Sequence, residues 1–335
     1  MVVRIALDVM GGDNAPEATL RGALLACAPD NPRALAPERI LLVGESDAIR
    51  HKLTELGSTL EFPIQHASQV IGMAESPALA LRAKPDSSIA VCVGAVKKGA
   101  AGGLVSMGNT GAVVGAATIG LGTLEGVRRP AIAVTLSLTG QPVTFLDMGA
   151  NREAKPQDLL QFASMGAVYM RDCLGVAEPR VGLLNIGSEP SKGTELLKEA
   201  YPLLAAAGAR LNFVGNVEGN TIFGSVADVV VTDGFTGNVV LKLLEGFSGF
   251  MLQLVMAELK AHQVAWSKEA LSNVKRRVDY AEYGGALLLG VNGVVVKGHG
   301  RSDAVAVANA LAVAARTVDS NVNQHIIEGL RAQSA

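Results

Sequence analysis

Lys192 sits in a turn-forming segment, Gly187–Gly193, with a glycine at each end and two serines and a proline between. The apolar run Val181–Ile186 before it reads as a buried strand. After it, Leu196, Leu197, Tyr201, Leu204 and Ala205 recur on one helical face that starts at Thr194 and ends at Gly208. A second apolar run begins at Leu211–Val214. The order strand, loop, helix, strand is a βαβ unit. Such a loop aims backbone N–H groups above the strand end, where the helix dipole also favours negative charge. A lysine there adds a full positive charge, so the chemistry is a seat for an anion, most simply phosphate. The alternative is an ordinary solvated lysine in a βα turn.

The same grammar recurs along the chain. Apolar strands end in Gly with Asn, Asp or Thr near positions 8–13, 106–111, 147–151, 185–193, 215–219 and 233–238. In a doubly wound sheet the carboxyl ends of parallel strands share one edge, where ligands bind. The strands read as Val2–Val9, Ile40–Gly44, Gly103–Val105, Ala131–Leu136 with Val143–Leu146, Asp228–Thr232, Leu287–Leu289 and Val294–Val296. Between them lie helices Ser46–Leu56, Ile89–Lys98, one running to Gly120, and Pro156–Leu174, with Ala304–Val318 as the last. The fold class is therefore α/β, a doubly wound, mostly parallel sheet, in one catalytic domain over residues 1–335 that has room for two lobes.

Each turn has a plain structural reading beside the chemical one. Asp8 and Asp13 flank Gly11 and Gly12 and serve either as turn and cap aspartates or as a polar rim; Asn14 or Ala15 caps the next helix, with Pro16 in its first turn. The spacing is not GxGxxG, so no dinucleotide fingerprint is present. Asn109, with Thr110 and Gly111, is either an N-cap or a donor to ligand. His299 lies between glycines in a strand–turn–helix segment; it is either structural or a proton donor. Arg82 and Lys84 read as surface charges.

From Lys242 the character changes. Leu243, Leu244, Phe247, Phe250, Met251, Leu254, Val255 and Leu259 recur at three- and four-residue steps. The pattern breaks around Ala261–Lys268, near the single Trp266, and resumes at Leu271, Val274 and Val278 among Lys268, Lys275, Arg276 and Arg277. A helical hairpin over residues 243–280 follows, reading as a dimer interface, or as a membrane-surface contact at its tip.

Composition narrows the function classes. Hydrophobic residues make up 49% and charged residues 18%, which excludes disorder, and no long uncharged run suggests a membrane span. A net charge of −2 gives no broad field for nucleic acid, and one Trp with four Tyr gives no stacking surface. The start, Met1-Val2-Val3-Arg4-Ile5, enters a strand and lacks a signal-peptide layout. Cys27, Cys92 and Cys173 lie far apart in apolar contexts with no metal spacing, as expected of buried thiols in a reducing cytosol.

Seven strings together resemble the PlsX family of phosphate acyltransferases: DVMGGDNAP (8–16), SMGNTGA (106–112), LDMGAN (146–151), GLLNIGSEPSKG (182–193), FVGNVEG (213–219), DGFTGN (233–238) and YGGALLLGVNGVVVKGHGRS (283–302). They run in order over nearly the whole chain and are weakest over 246–278. The resemblance implies a fold similar to phosphate acetyltransferases and isocitrate dehydrogenases. It implies transfer of a fatty acyl group from acyl carrier protein to inorganic phosphate, feeding glycerol-3-phosphate acylation in phospholipid synthesis. It implies no cofactor or metal, a cytoplasmic homodimer with weak membrane-surface contact, and the downstream membrane acyltransferase as a further partner. On these motifs Lys192, Asn238 and His299 are the expected catalytic residues. Asp8, Gly11, Gly12, Asp13, Asn109, Thr110, Gly111, Asp147, Asn151, Asn185, Asn216, Asp233, Gly234 and Thr236 form the expected substrate-binding rim. The competing readings are an NAD(P)-dependent dehydrogenase of the related fold, a non-catalytic phosphate or nucleotide sensor, and a membrane scaffold acting through the hairpin.

Overall fold

The computed structural model describes residues 3–137, 140–262, 264, 267 and 284–334. Its strands in chain order are β1 (Ile5–Asp8), β2 (Ile40–Gly44), β3 (Ile64–His66), β4 (Gly103–Ser106), β5 (Ala131–Ser137), β6 (Pro142–Leu146), β7 (Val181–Asn185), β8 (Phe213–Glu218), β9 (Val229–Val231), β10 (Ala286–Leu289) and β11 (Val294–Lys297). The chain divides into two compact units, 1–130 with 283–331, and 131–282 with 332–335.

In the first unit the strand order is β3-β2-β1-β4-β11-β10, all parallel except the β10–β11 hairpin. Every residue of β1, β2 and β4 is buried. That is why they read as unbroken apolar runs, since a parallel strand covered on both faces has no polar side to show. Asp8, Ser106 and Lys297 stand level across β1, β4 and β11 at their carboxyl ends. Gly22 of helix Glu17–Ala26 lies against Val307 of helix Ala304–Asp319, an approach that a larger residue would block.

In the second unit the order is β5-β6-β9-β7-β8. β5 and β6 form the expected antiparallel pair, and β6, β9, β7 and β8 are mutually parallel. Gly166 of helix Pro156–Leu174 faces Val229 and Leu146, which brings that helix onto β9 and β6.

Several sequence boundaries shift. β1 begins at Ile5, after Val3 and Arg4, and the expected start at Val2 lies outside the described residues; the Val9 N–H still reaches Val43 O at 3.0 Å. The first helix begins at Glu17 with Pro16 itself at the N-cap. The run expected at Leu211–Val214 pairs only from Phe213 and continues to Glu218, because Asn212 takes a left-handed turn at φ 47°. On helix Glu195–Ala206 the buried residues are Ala200 and Leu204, while Ala205 is exposed. Helix Ala304–Asp319 is followed by one more, Val322–Ser334, so it is not the last.

The long apolar helix is Gly234–Ala261, which starts earlier than its periodic stretch. Only Gly234, Gly237 and Leu241 are buried on it. By length and composition it is apolar enough to cross a membrane, which composition alone did not suggest. Two of its four charged residues, Lys242 and Glu245, pair with each other at 2.7 Å. Trp266 and the expected second arm through Val278 lie outside the described residues.

Candidate active site

In the second unit the carboxyl ends of β6, β7 and β9 carry LDMGAN, the Lys192 turn and DGFTGN along one edge, and Asn216 lies inside neighbouring β8, level with Leu183. The Asp147 carboxylate, fully buried, organises the first of these. Its oxygens accept from the N–H groups of Ile132 (2.9 Å), Gly149 (3.1 Å), Ala150 (2.9 Å) and Asn151 (2.7 Å), and from Asn151 Nδ2 (2.9 Å). Burial still holds its pKa above the ordinary carboxylate range, against those donors. Asp147 and Asn151 thus shape the turn with the groups expected to meet ligand.

The helix that begins at Gly234 presses directly on this turn. A Cβ at Gly237 would collide with the Asp147 carbonyl oxygen, and one at Gly234 with the Asn151 carbonyl. Asp233 is the N-cap: it accepts from Thr236 N–H at 3.0 Å and Thr236 Oγ1 at 2.7 Å. One turn later, exposed Asn238 lies against Gly149, whose φ of 127° only glycine adopts readily.

On the adjacent strand β7, Asn185 is buried and holds the Lys192 turn at both ends. Its Nδ2 donates to Lys192 O at 3.1 Å and its Oδ1 accepts from Ile186 N–H at 2.8 Å. Asn216, on β8, donates to Glu189 O at 2.8 Å, and its Oδ1 is buried with no hydrogen-bond partner among the described residues. Lys192 donates its own N–H to Glu189 O at 3.1 Å. Its ammonium is about half exposed, 4.0 Å from the Glu189 carboxylate. The helix that follows has Thr194 at its N-cap with no side-chain cap bond. An exposed ammonium beside an uncapped helix start is the expected constitution of an anion seat.

In the first unit three loops interlock. Asp8 is fully buried; its Oδ2 accepts from Ser106 Oγ at 2.6 Å, and Ser106 Oγ accepts from Gly108 N–H at 3.0 Å. Among the described residues the Asp8 Oδ1 has no hydrogen-bond partner. Burial pushes its pKa up, and the Ser106 and Ser88 hydroxyls and the Met10 and Gly11 amides only partly oppose this. Gly11 leaves room for Asp8 and Gly108, and Gly12, at φ 104°, for Met107 and Gly300. Asp13 N–H donates to Gly300 O at 2.7 Å, and Asn14 Nδ2 to Arg301 O at 3.2 Å. Half-buried His299 accepts at Nδ1 from Arg301 N–H at 3.2 Å, which puts the proton of a neutral ring on Nε2. Asn109 is spent on structure: Oδ1 caps Ala112 N–H at 3.1 Å and Nδ2 reaches Met73 O and Glu75 O at 2.9 and 3.1 Å. Thr110 and Gly111 are exposed at that helix start, with Gly111 against Pro77. Lys84 is tied to Glu75 at 2.6 Å.

Sequence reasoning missed Glu189, Ser106 and Ser88. Glu189 was readable as a carboxylate three residues before Lys192, whereas the Asp8–Ser106 contact spans 98 positions and leaves no local signal.

Residues 3–325 match the family model described as "Fatty acid synthesis protein". A phosphate acyltransferase from Heliobacterium modesticaldum is 48% identical over 97% of this chain and 98% of its own. One from Gloeobacter violaceus is 44% identical over 98% and 97%. This chain belongs to the phosphate acyltransferase family. Membership in that family makes it an acyltransferase, and the dehydrogenase alternative falls away. The same fold appears in a phosphotransacetylase from Streptococcus pyogenes, with TM-score 0.63 and 16% identity over 95% of this chain and 94% of that one. It also appears in a 4-hydroxythreonine-4-phosphate dehydrogenase from Klebsiella pneumoniae, with TM-score 0.51 and 13% identity over 98% and 100%. At such identities the likeness speaks for the fold alone.

Proposed function

We propose that this acyltransferase moves a fatty acyl group from acyl carrier protein to inorganic phosphate, giving acyl phosphate and free carrier. The observation that carries the reading is the Lys192 turn and the Asn238 helix start following adjacent parallel strands, β7 and β9. Phosphate is itself a nucleophile, so no side-chain nucleophile is needed. A phosphate oxygen attacks the thioester carbonyl carbon, the carbonyl oxygen becomes an oxyanion, and the C–S bond then breaks to release thiolate. Lys192, with the open amides at the following helix start, holds the phosphate. Asn238 Nδ2 donates to the oxyanion, a donor worth roughly 3–4 kcal/mol in comparable sites. Holding both reactants supplies up to about 7–11 kcal/mol more. His299 belongs to the first unit, and its proposed role as proton donor to the thiolate rests only on its place in a strand–turn–helix segment; a His299→Ala enzyme with an unchanged rate removes it.

The exposed row Leu243, Phe247, Phe250 and Leu254 on the long helix supports a homodimer, since a chain in water does not leave four such residues bare. The protein is assigned to the cytoplasm, attached at most peripherally to the membrane that holds the acyltransferase consuming its product. The reading is tested by supplying acyl carrier thioester with labelled phosphate. Labelled acyl phosphate is the expected product; free fatty acid with no labelled adduct rejects it.

A further inference from the structure

Two large apolar side chains stand bare beside the proposed phosphate seat. Ile186 is 81% exposed and Phe235 is 66% exposed. They follow neighbouring strand ends: β7 and β9 run parallel with Leu183 opposite Val231, Ile186 comes directly after β7, and Phe235 is in the first turn of the helix after β9. Neither is loosely attached. The Ile186 N–H is bonded to Asn185 Oδ1 at 2.8 Å, and the same side chain holds Lys192 O at 3.1 Å. Phe235 is in the first turn of a helix whose cap, Asp233, grips Thr236 twice. It lies three residues before Asn238 and one turn before Val239, itself 54% exposed.

We infer that Ile186 and Phe235 form the seat for the first methylenes of the acyl chain and so set the preference for fatty acyl over short acyl donors. The inference rests on the phosphate acyltransferase reading of the same edge. Once the thioester carbonyl meets Asn238 and the phosphate meets Lys192, the carbon chain leaves the reacting centre alongside these two side chains. Bare apolar groups held rigidly at a polar loop edge gain only when another apolar surface covers them. The carrier's own contact surface is a poorer occupant, because the polar turn that follows Ile186 holds Glu189 and Lys192, which suit a small anion. A seat that covers two methylenes distinguishes donors by about tenfold.

The test uses the full chain and carrier thioesters bearing two-carbon and sixteen-carbon acyl groups. Ile186→Ser and Phe235→Ser are expected to lower the ratio of kcat/KM for the long donor over the short one by about tenfold each. The KM for phosphate should stay within about twofold of wild type. An unchanged chain-length ratio in both variants overturns the seat, whatever happens to the absolute rate. Sedimentation of both proteins separates a second explanation for Phe235: if only Phe235→Ser shifts the ratio, and its oligomer also falls apart, the assignment fails. Ile186 lies off the long helix and keeps the measurement independent of assembly. A wild-type enzyme that makes no acyl phosphate from either donor rejects the underlying function instead.

Discussion

At the scale of single residues, the proposed phosphate seat puts Glu189 in competition with the anion for Lys192. Both groups are about half exposed and 4.0 Å apart, so their attraction is weak and screened. Removing the carboxylate charge should still help an incoming anion. Glu189→Gln is expected to lower the KM for phosphate about two- to threefold with kcat unchanged, measured by initial rates at low salt. An unchanged or higher KM places Glu189 outside the anion's reach. Asp8 makes a different prediction, about pH. Burial raises its folded-state pKa above the ordinary value near 3.8. The protonated form is therefore the one the fold favours, and the stability it contributes is lost as pH rises through the folded-state pKa. Asp8→Asn, which cannot ionise, should gain melting temperature relative to wild type as pH is raised from about 4 to 8. A difference that does not change with pH contradicts this.

At the scale of elements, the turn after β6 and the start of the long helix act as one piece. Five N–H donors converge on Asp147. Asp147→Asn turns an amide group onto those donors, and urea unfolding should show a loss of about 2–4 kcal/mol. Gly237→Ala drives a methyl into the Asp147 carbonyl and should move Asn238, lowering turnover more than it lowers phosphate affinity. Much of this level was readable beforehand. β2 and helix Pro156–Leu174 fall where their apolar runs and Pro156 put them, because burial on both faces and a first-turn proline write themselves into local sequence. Five of the six expected Gly-and-polar strand ends follow strands as read, whereas Gly215 and Asn216 lie inside β8. What those polar side chains do was not readable. Asn109 and Asp233 act as caps, and Asp147 holds its own turn, because a short polar side chain at a helix or strand end satisfies nearby backbone first. The contact of Asp8 with Ser106 depends on strand order, which periodicity does not encode.

At the scale of the molecule, one expectation is association. The long helix leaves Leu243 67% and Phe247 53% exposed. Replacing both with Glu should convert a dimer to a monomer in sedimentation velocity; an unchanged coefficient would assign that face to something else. The central claim concerns the edge formed by β7 and β9, where an ammonium and a carboxamide hold inorganic phosphate against a thioester. Its most direct test is the phosphate dependence of acyl phosphate formation by Lys192→Ala beside wild type. The account predicts a fall of at least about a hundredfold in kcat/KM for phosphate, with the protein still folded. A variant that saturates with phosphate at the wild-type concentration and turns over at the wild-type rate contradicts it.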